Sequence, residues 1–424
     1  MTRLIASSLV WALLVLTLMG NARAATEKVL YAFQEGKDGG VPIAGLISDR
    51  AGNLYGTTLF GGDLNCGVRS GCGTVFELRH TKNGWQEDVV YSFAGGSDGA
   101  TPYAGLTMDR KGLLYGTTVS GGGNGCRGLG CGVVFKLTRT SAGTWRETVL
   151  RRFSKFEDGQ NPQGRVILDP HGNLYGTTYG GGGSRQYCDA GCGVVFQLTP
   201  NGSGEWPEHV LYHPVSNGNF IGGLIFDRAG NLYGTTWGCD GCGGGEMFML
   251  ANDKGTWTAS VLYYFGGAGG IGSYAGLILD KSGNLYGTSP FGGVNNNCFN
   301  PCGAVFELAH NSGGQWSDNI LYSFNGGLDG AQPEGPVKFG HDGSLYGTTE
   351  WGGGGVECQL GCGTVFKLTP SGEGWSETVL HRFQAGLDGF SPYSGVTLHR
   401  DGKIYGTTAG GGAYGGGTVY EITP

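Results

Sequence analysis

The chain has 424 residues, of which 89 are glycine, 14% are charged and 12% are aromatic. It is too apolar for a disordered protein, and its glycines lack the three-residue period of a collagen. The formal net charge of −7 argues against a surface for nucleic acid or anionic lipid. A neutral ligand therefore fits better, and membrane insertion is not expected.

The first segment, residues 1–24, has the pattern of a secretory signal peptide. Arg3 is followed by an apolar run from Leu4 to Met19, and Ala22-Arg23-Ala24 matches a small-x-small cleavage site. The two arginines removed with this segment lower the count of basic residues from 27 to 25, against 34 acidic residues. We expect a soluble mature chain, residues 25–424, that is secreted, periplasmic or at the cell surface and has no lipid anchor.

A pentapeptide of the form Leu-Tyr-Gly-Thr-Thr recurs seven times along the chain. Its tyrosines are Tyr55, Tyr115, Tyr175, Tyr233, Tyr286, Tyr346 and Tyr405, which lie 53 to 60 residues apart. A fixed period of this length is typical of a repeat protein, in which each unit packs only on its neighbours. Residues 25–424 are therefore predicted to form a single domain.

Each repeat contains four short segments with the composition of strands. In the second repeat they are Ala104 to Asp109, Leu114 to Thr118, Gly132 to Thr138 and Thr148 to Phe153. β-Branched and aromatic residues fill these segments, Gly, Asn and Asp bound them, and no helical periodicity intervenes. Seven units of four antiparallel strands predict an all-β fold, the seven-bladed β-propeller.

The register of the repeats places the two ends of the chain in one blade. The first predicted strand, Lys28 to Phe33, has the composition of a fourth strand, and the last, Gly417 to Thr423, that of a third strand. The last blade is therefore predicted to be closed by the N- and C-terminal strands, which removes a free sheet edge.

The repeat resembles two known patterns. Paired glycines after the second strand, as at Gly61-Gly62, and a tryptophan opening the fourth strand, as at Trp85, are similar to kelch-type propellers. The strings from Asp227 to Thr236 and from Cys72 to Leu78 are similar to the Gloeobacter/Verrucomicrobia-type (GloVer) tandem repeats, over residues 26–424. That resemblance implies an exported protein, often one anchored at the cell surface, but it implies no catalytic residue.

Twelve cysteines form six close pairs, each between the second and third strands of one repeat. The pairs are Cys66 with Cys72, Cys126 with Cys131, Cys188 with Cys192, Cys239 with Cys242, Cys298 with Cys302, and Cys358 with Cys362. In an exported chain, pairs this close within one loop predict local disulfides. Zinc is the alternative for the spacing of Cys239 and Cys242, but one pair supplies only two of the four ligands that zinc normally takes, so we expect no metal.

An Asp-Gly dipeptide recurs between consecutive repeats, at Asp38, Asp98, Asp158, Asp329 and Asp388. Five carboxylates on one face would suit calcium, which binds oxygen ligands. The alternative is turn chemistry, in which each carboxylate accepts hydrogen bonds from its own loop. The sequence favours turn chemistry, so we expect no cofactor and keep calcium as the alternative.

Function in a repeat protein is expected where the repeats differ. The residues twelve positions before each motif tyrosine are expected to ring one mouth of the central channel: Ile43, Tyr103, Gln163, Ile221, Tyr274, Glu334 and Tyr393. Two positions further on, five repeats have glycine, whereas the third has Arg165 and the sixth has Pro336. Repeats three and six are nearly opposite each other in a ring of seven.

Bulky residues follow the motif threonines on the same face, where several other repeats have Ala or Gly. Aromatic platforms beside a few polar groups suit a sugar ring, which has an apolar face and hydroxyl groups. We predict that a glycan or a cell-surface partner binds there to Tyr103, Tyr179, Trp237, Tyr274, Trp351 and Tyr393. Packing beneath the loops is the alternative role for these rings.

Catalysis is the second interpretation. Glu334 and Glu350 are a candidate acid and base for a glycoside hydrolase, and Arg165 is a candidate ligand for a uronate carboxylate in a polysaccharide lyase. A structural surface protein without a small ligand is the third interpretation. Sequence order alone does not set the distance between two carboxylates, so a non-catalytic, monomeric binding protein is favoured.

Overall fold

The structure is a computed structural model that describes most of the chain. The described residues are 24–68, 70–182, 188, 190–214, 218–220, 222–238, 244–266, 270, 272–295, 297–298, 301–310, 315–355, 357–372 and 374–424. The predicted signal peptide, except for Ala24, lies outside them. No helix in the described part of the chain is long and apolar enough to cross a membrane.

Four classes of strand recur from the centre of the molecule outwards. The innermost strands have two residues each and are β2 (Ile47–Ser48), β6 (Thr107–Met108), β10 (Ile167–Leu168), β15 (Ile225–Phe226), β20 (Ile278–Leu279), β24 (Lys338–Phe339) and β28 (Thr397–Leu398). The second strands carry the pentapeptide and are β3 (Leu54–Thr58), β7 (Leu114–Thr118), β11 (Leu174–Thr177), β16 (Leu232–Thr235), β21 (Leu285–Ser289), β25 (Leu345–Thr349) and β29 (Ile404–Thr408).

The outer two classes contain the longer strands. The third strands are β4 (Thr74–Thr81), β8 (Val133–Arg139), β12 (Val195–Leu198), β18 (Glu246–Asp253), β22 (Ala304–His310), β26 (Thr364–Ser371) and β30 (Thr418–Thr423). The outermost strands are β5 (Gly84–Ser92), β9 (Trp145–Arg152), β13 (Glu208–Tyr212), β19 (Thr256–Tyr264), β23 (Trp316–Ser323), β27 (Gly374–Arg382) and β1 (Thr26–Ala32). A separate pair is formed by β14 (Gly218–Asn219) and β17 (Trp237–Gly238), and a 3-10 turn spans Cys126–Gly128.

Each set of four strands forms an antiparallel sheet, as in the order β2-β3-β4-β5 of blade one. The predicted seven-bladed β-propeller is therefore confirmed. Blade seven has the order β28-β29-β30-β1, and Thr26 at the start of the described fold pairs with Thr423 at its end. The predicted closure of the last blade by the two ends of the chain is confirmed as well.

Three residues of the pentapeptide build the hydrophobic core, which lies between neighbouring blades. In blade one, Leu54 is fully buried, and Tyr55 packs into the same cluster as Phe135 of blade two. A Cβ atom on Gly56 would lie 2.5 Å from the ring of Phe76, so a side chain does not fit there. The tight approach of strand and ring explains why this position is glycine in every blade.

The first threonine of the pentapeptide joins each blade to the next. Thr57 Oγ1 donates a hydrogen bond to Ala104 O of blade two at 3.2 Å, and six equivalent bonds of 2.7–3.4 Å follow around the molecule. The last of them runs from Thr407 of blade seven to Ala44 O of blade one, so the ring of bonds closes. Each bond contributes about 1 kcal/mol to stability and fixes the wall of the channel.

The two ends of the channel are built from different connections. At the end that we call the turn face, tight turns join the innermost strands to the second strands, and Asp49 accepts hydrogen bonds from Ala51 N and Asn53 N. At the other end, the mouth face, lie the loops between second and third strands and the connections between blades.

Disulfides close five of the mouth-face loops, as the sequence predicts. The confirmed bridges are Cys66–Cys72, Cys126–Cys131, Cys188–Cys192, Cys298–Cys302 and Cys358–Cys362. The sixth predicted bridge joins Cys239 and Cys242, and both Cys239 and Cys242 lie outside the described residues. The disulfide between Cys239 and Cys242 therefore stays a prediction.

The Asp-Gly connections between blades use their carboxylates locally. Asp38 accepts hydrogen bonds from Gln34 N and from the Tyr31 hydroxyl. The other four aspartates bond the residue seven positions earlier: Asp98 with Tyr91, Asp158 with Arg151, Asp329 with Tyr322 and Asp388 with His381. The described residues contain no group of three His, Cys, Asp or Glu side chains suited to a metal ion. Turn chemistry accounts for these aspartates.

Candidate functional site

A kink in the backbone leads five of the seven blades into the channel wall. Five residues two positions before the predicted mouth residues have φ of 52–60°: Val41, Thr101, Asn161, Gln332 and Ser391. This left-handed conformation is unfavourable for side chains, most of all for the β-branched Val and Thr. The surrounding loops hold it, because in four of the five the backbone N donates to the second cysteine of the preceding blade: Thr101 to Cys72, Asn161 to Cys131, Gln332 to Cys302 and Ser391 to Cys362. The disulfide loops therefore position the mouth residues.

The described mouth residues line one axial cavity of about 190 Å³. Its wall contains Ile43, Tyr103, Gln163, Tyr274, Glu334 and Tyr393, one from each of six blades, whereas Ile221 lies outside the described residues. The next layer of the wall is mostly glycine because neighbouring blades approach closely there. A Cβ atom on Gly395, for example, would lie 2.1 Å from Pro336 O.

Two tyrosines bridge part of the mouth. Tyr103 of blade two donates a hydrogen bond to the hydroxyl of Tyr393 in blade seven at 3.1 Å, across the position of blade one. Two hydroxyl groups have two protons and this bond uses one, so the other proton is available to a ligand. Burial raises the pKa of both phenols, and the nearby carboxylates of Glu334 and Glu350 raise them further.

Glu334 is buried, with 6% of its surface exposed, and its Oε2 atom has no hydrogen-bond partner among the described residues. Burial raises the pKa of Glu334 well above its usual value, and the charge of Glu350 adds to the rise. Glu350 is held nearby because its backbone N donates to Gln332 O at 2.9 Å. Burial also raises the pKa of Glu350, but the side chain of Trp351 opposes that rise. The pair is therefore disposed to keep a proton on Glu334.

Two cations line the channel beyond the glutamates. Arg165 is enclosed by the channel wall yet remains accessible to channel water, and its Nε donates to Thr107 Oγ1 at 2.9 Å. Burial lowers the pKa of the guanidinium. Lys338, at the start of β24, lines the same cavity, and its pKa is lowered by burial and by the charge of Arg165. Neither cation forms an ion pair within the described part of the chain.

Lys338 is the site residue that the sequence prediction missed. The other six innermost strands begin with Ile or Thr, as at Ile167 and Thr397. Lys338 therefore departs from the repeat in the same way as Arg165, which replaces a glycine. Comparison of the repeats at this third channel position would have found it.

The other predicted aromatic residues lie at or beyond the rim of the axial cavity. Trp237 stacks on Tyr274 with ring centroids 3.9 Å apart and also contacts Phe291, so packing occupies part of these rings. Trp351 and Phe291 line a second cavity of about 1070 Å³ between blades five and six. Tyr179 is half-buried and lines neither cavity.

The two cavities are neighbours through blade six. Gln332 lines the larger cavity and Glu334 the axial one, and Trp351, next to Glu350, lines the larger one. Small-molecule sites usually measure about 300–1,000 Å³, so the axial cavity suits a single small group and the larger cavity suits the rest of an extended ligand.

Three solved structures illustrate what the chain is similar to. A candidate 6-phosphogluconolactonase from Bacteroides uniformis is 12% identical with a TM-score of 0.50, over 78% of this chain and 84% of its own. A gluconolactonase from Xanthomonas campestris is 17% identical with a TM-score of 0.41, over 76% and 86%. A candidate glucose dehydrogenase from Thermus thermophilus is 15% identical with a TM-score of 0.43, over 94% and 100%. At these identities the likeness concerns the fold alone.

Sequence comparison identifies the family. No curated protein sequence matches the chain. The family model described as the Gloeobacter/Verrucomicrobia repeat matches residues 17–205, 67–300, 185–355 and 297–424. These matches overlap and together run from residue 17 to residue 424, which agrees with seven copies of one blade. The chain belongs to the Gloeobacter/Verrucomicrobia repeat family.

Proposed function

We propose that the protein is an exported, monomeric β-propeller that binds a glycan at the mouth face. The observation that carries this proposal is the convergence of Tyr103, Glu334 and Tyr393, from three blades, on one cavity. A phenol proton and an unpartnered carboxyl oxygen match the hydroxyl groups of a sugar, each of which both donates and accepts. The disulfides of the mouth face and the signal-like residues 1–24 support export.

The unpartnered oxygen of Glu334 favours binding of a hydroxyl group. A buried polar atom without a hydrogen bond costs about 1–3 kcal/mol, and a sugar hydroxyl that donates to Oε2 removes this cost. The rings of Tyr103 and Tyr393 supply apolar surface beside it, as a sugar ring requires. The larger cavity, with Trp351 and Phe291 in its wall, extends the site for further sugar units.

The test is a pull-down of the purified protein with a panel of insoluble polysaccharides, followed by titration with soluble fragments of those that retain it. We expect Tyr393→Phe and Glu334→Gln each to weaken binding about tenfold, because the first removes the phenol proton that Tyr103 leaves free, the second alters the unpartnered carboxyl, and both change little volume. Tyr414→Phe is the matched control, since Tyr414 lies on the same face in blade seven but is 62% exposed outside the cavity. Retention by no polysaccharide, or equal weakening in the control, would refute the proposal.

The raised pKa of Glu334 supports a second candidate, a carbohydrate-active enzyme. In glycosidases, a carboxylic acid with a raised pKa protonates the leaving oxygen while a second carboxylate acts as base or nucleophile. Burial and the charge of Glu350 raise the pKa of Glu334 well above its usual value, whereas the side chain of Trp351 opposes the rise in the pKa of Glu350. New reducing ends or unsaturated products that disappear in Glu334→Gln and Glu350→Gln would support the enzyme. Binding without products would support the binding protein.

A further inference from the structure

Arg165 and Lys338 have no counter-charge in the channel. Neither forms an ion pair with a described residue, although both line the wall of the axial cavity. The pKa of Lys338 responds to Arg165, and the pKa of Glu334 responds to Glu350, but no ion pair joins these two layers in the part of the chain that the structure describes. The mouth therefore has a layer of carboxyl groups and, beyond it, a layer that contains two cations.

The fold does not require these cations. Five blades have glycine where Arg165 stands, and six have Ile or Thr where Lys338 stands. Unpaired charges of like sign that line one channel repel each other and oppose folding. A bound anion would offset that cost. Anion binding would therefore explain why Arg165 and Lys338 replace the residues that the other blades have at these two positions.

The guanidinium of Arg165 is held in a defined orientation. Its Nε donates to Thr107 Oγ1, and the Thr107 hydroxyl in turn donates to Val166 O. The two terminal nitrogens of Arg165 have no described hydrogen-bond partner. An oriented guanidinium with free terminal N–H groups suits the paired oxygens of a carboxylate or a phosphate.

We propose that the glycan is anionic and that a carboxylate or phosphate group on one of its sugars enters the axial cavity and binds between Arg165 and Lys338. The hydroxyl groups of the same sugar contact Tyr103, Glu334 and Tyr393 at the mouth, so this inference rests on the proposed function. The charge of the whole chain favours a neutral ligand, but the local charge of the channel favours an anion. The cavity of about 190 Å³ admits one charged group with part of its sugar.

The test compares ligands that have a charged group with counterparts in which that group is absent or esterified, by calorimetry at low and moderate salt. The probes are oligogalacturonate, its fully methyl-esterified form, glucose 6-phosphate, glucose and inorganic phosphate. We expect the free acid or the sugar phosphate to bind at least tenfold more tightly than its uncharged counterpart, and added salt to reduce that preference. The stronger of the two anions identifies the charged group.

Two substitutions restore the residues of the other blades and therefore are expected to fold. Arg165→Gly and Lys338→Ile are each expected to abolish the preference for the anion and to leave the affinity for the uncharged probe within about twofold. Both variants are also expected to be as stable as the native protein or more stable without ligand, because a repulsive charge is removed. This stability readout does not depend on any ligand, and a role of the cations in the fold alone would give the opposite sign.

The outcomes separate this inference from the proposed function. If charged and uncharged sugars bind equally and both variants behave as the native protein, the anion site is refuted but the glycan site stands. If no sugar binds, both proposals fail. If inorganic phosphate binds as tightly as glucose 6-phosphate, the site recognises an anion without its sugar, and the inference that the glycan is anionic is overturned.

Discussion

The same seven repeats form the turn face and the mouth face, but the hydrogen bonding of polar groups differs between the two faces. On the turn face, Asp169 accepts hydrogen bonds from His171 N, Asn173 N and Asn173 Nδ2 at 2.7–2.9 Å. On the mouth face, Glu334 Oε2 and the charged ends of Arg165 and Lys338 have no partner among the described residues. Polar groups that are repeated and satisfied serve the fold, whereas those that are unrepeated and unsatisfied mark the candidate site.

Exposed apolar side chains show the same asymmetry. Seven large ones lie in mouth-face loops with exposed fractions of 53–73%: Leu64, Leu129, Val294, Leu328, Leu360, Leu387 and Tyr414. The other three among the described residues, Val89, Val210 and Tyr264, lie on outermost strands, so none of these ten lies in a turn of the turn face. Contact with other molecules is therefore expected at the mouth face.

The largest expected effect on stability comes from a turn-face aspartate. Asp169→Ala should lower the free energy of unfolding by about 2–3 kcal/mol, because it leaves several N–H groups without their charged acceptor. Asp63→Ala in a mouth-face loop removes only one bond, to Asn65 N, and should cost about 1 kcal/mol or less. Urea unfolding of the two variants measures the difference. Equal losses of unfolding free energy in the two variants would contradict the proposed difference between the two faces.

The disulfides give the next largest effect and connect stability to the site. Replacing Cys298 and Cys302 by alanine should cost about 2 kcal/mol, because the bridge closes a loop of only a few residues. Cys302 O also accepts the hydrogen bond from Gln332 N, which fixes the kink before Glu334, so binding should weaken too.

The matched control is alanine at Cys188 and Cys192, which also form a bridge between residues four positions apart. This bridge precedes blade four, whose Gly222 and Gly223 line the axial cavity without a proposed role in binding. This variant should lose similar stability, by urea unfolding, and keep its affinity for the ligand. Similar affinity in both variants would show that the loops do not position the site.

A further effect is a pH dependence of stability that originates at glutamates on the outermost strands. Burial, with Asp38 and Asp88 nearby, raises the pKa of Glu87 to about 8, and its Oε1 atom has no described partner. The equivalent Glu147, Glu208 and Glu377 have pKa values raised to about 7. A carboxyl whose pKa is higher in the folded chain favours the folded state at low pH, so stability should fall as the pH rises from about 4.5 to 8.

Glu87→Gln removes one of these carboxyls, so it separates the pH dependence of stability from the pH dependence of ligand binding at the mouth face. Melting temperatures at pH 5 and pH 8 should differ less in this variant than in the native protein, while the pH dependence of ligand binding should stay the same. Glu334→Gln should change the pH dependence of binding, because Glu334 lines the axial cavity. If Glu87→Gln alters binding, the outer edge and the mouth are coupled.

Much of the architecture followed from chemistry that is local and copied seven times. The pentapeptide, the Asp turn and the paired cysteines act within one blade or on the next one, so their period predicts the blade count, the closure and the described disulfides. Comparison of the repeats also selected Glu334, Glu350 and Arg165, because each breaks the pattern of its position. Lys338 also differs from the residues of the other blades at its position, but the comparison of the repeats did not extend to this third position along the channel.

The sequence by itself determined which side chains depart from the pattern of the repeat. Only the tertiary structure decided which of these side chains contact one another. Tyr103 and Tyr393 are 290 residues apart, and their hydroxyls come together because closure of the ring brings blades two and seven to either side of blade one. Trp237 and Tyr274 pack on each other, whereas Trp351 lines a separate cavity. In the sequence, all three are simply aromatic residues at positions predicted to lie on the mouth face. Contacts across a channel depend on the angle between blades and on the depth of each residue along the axis. Neither quantity is encoded in the spacing of a repeat.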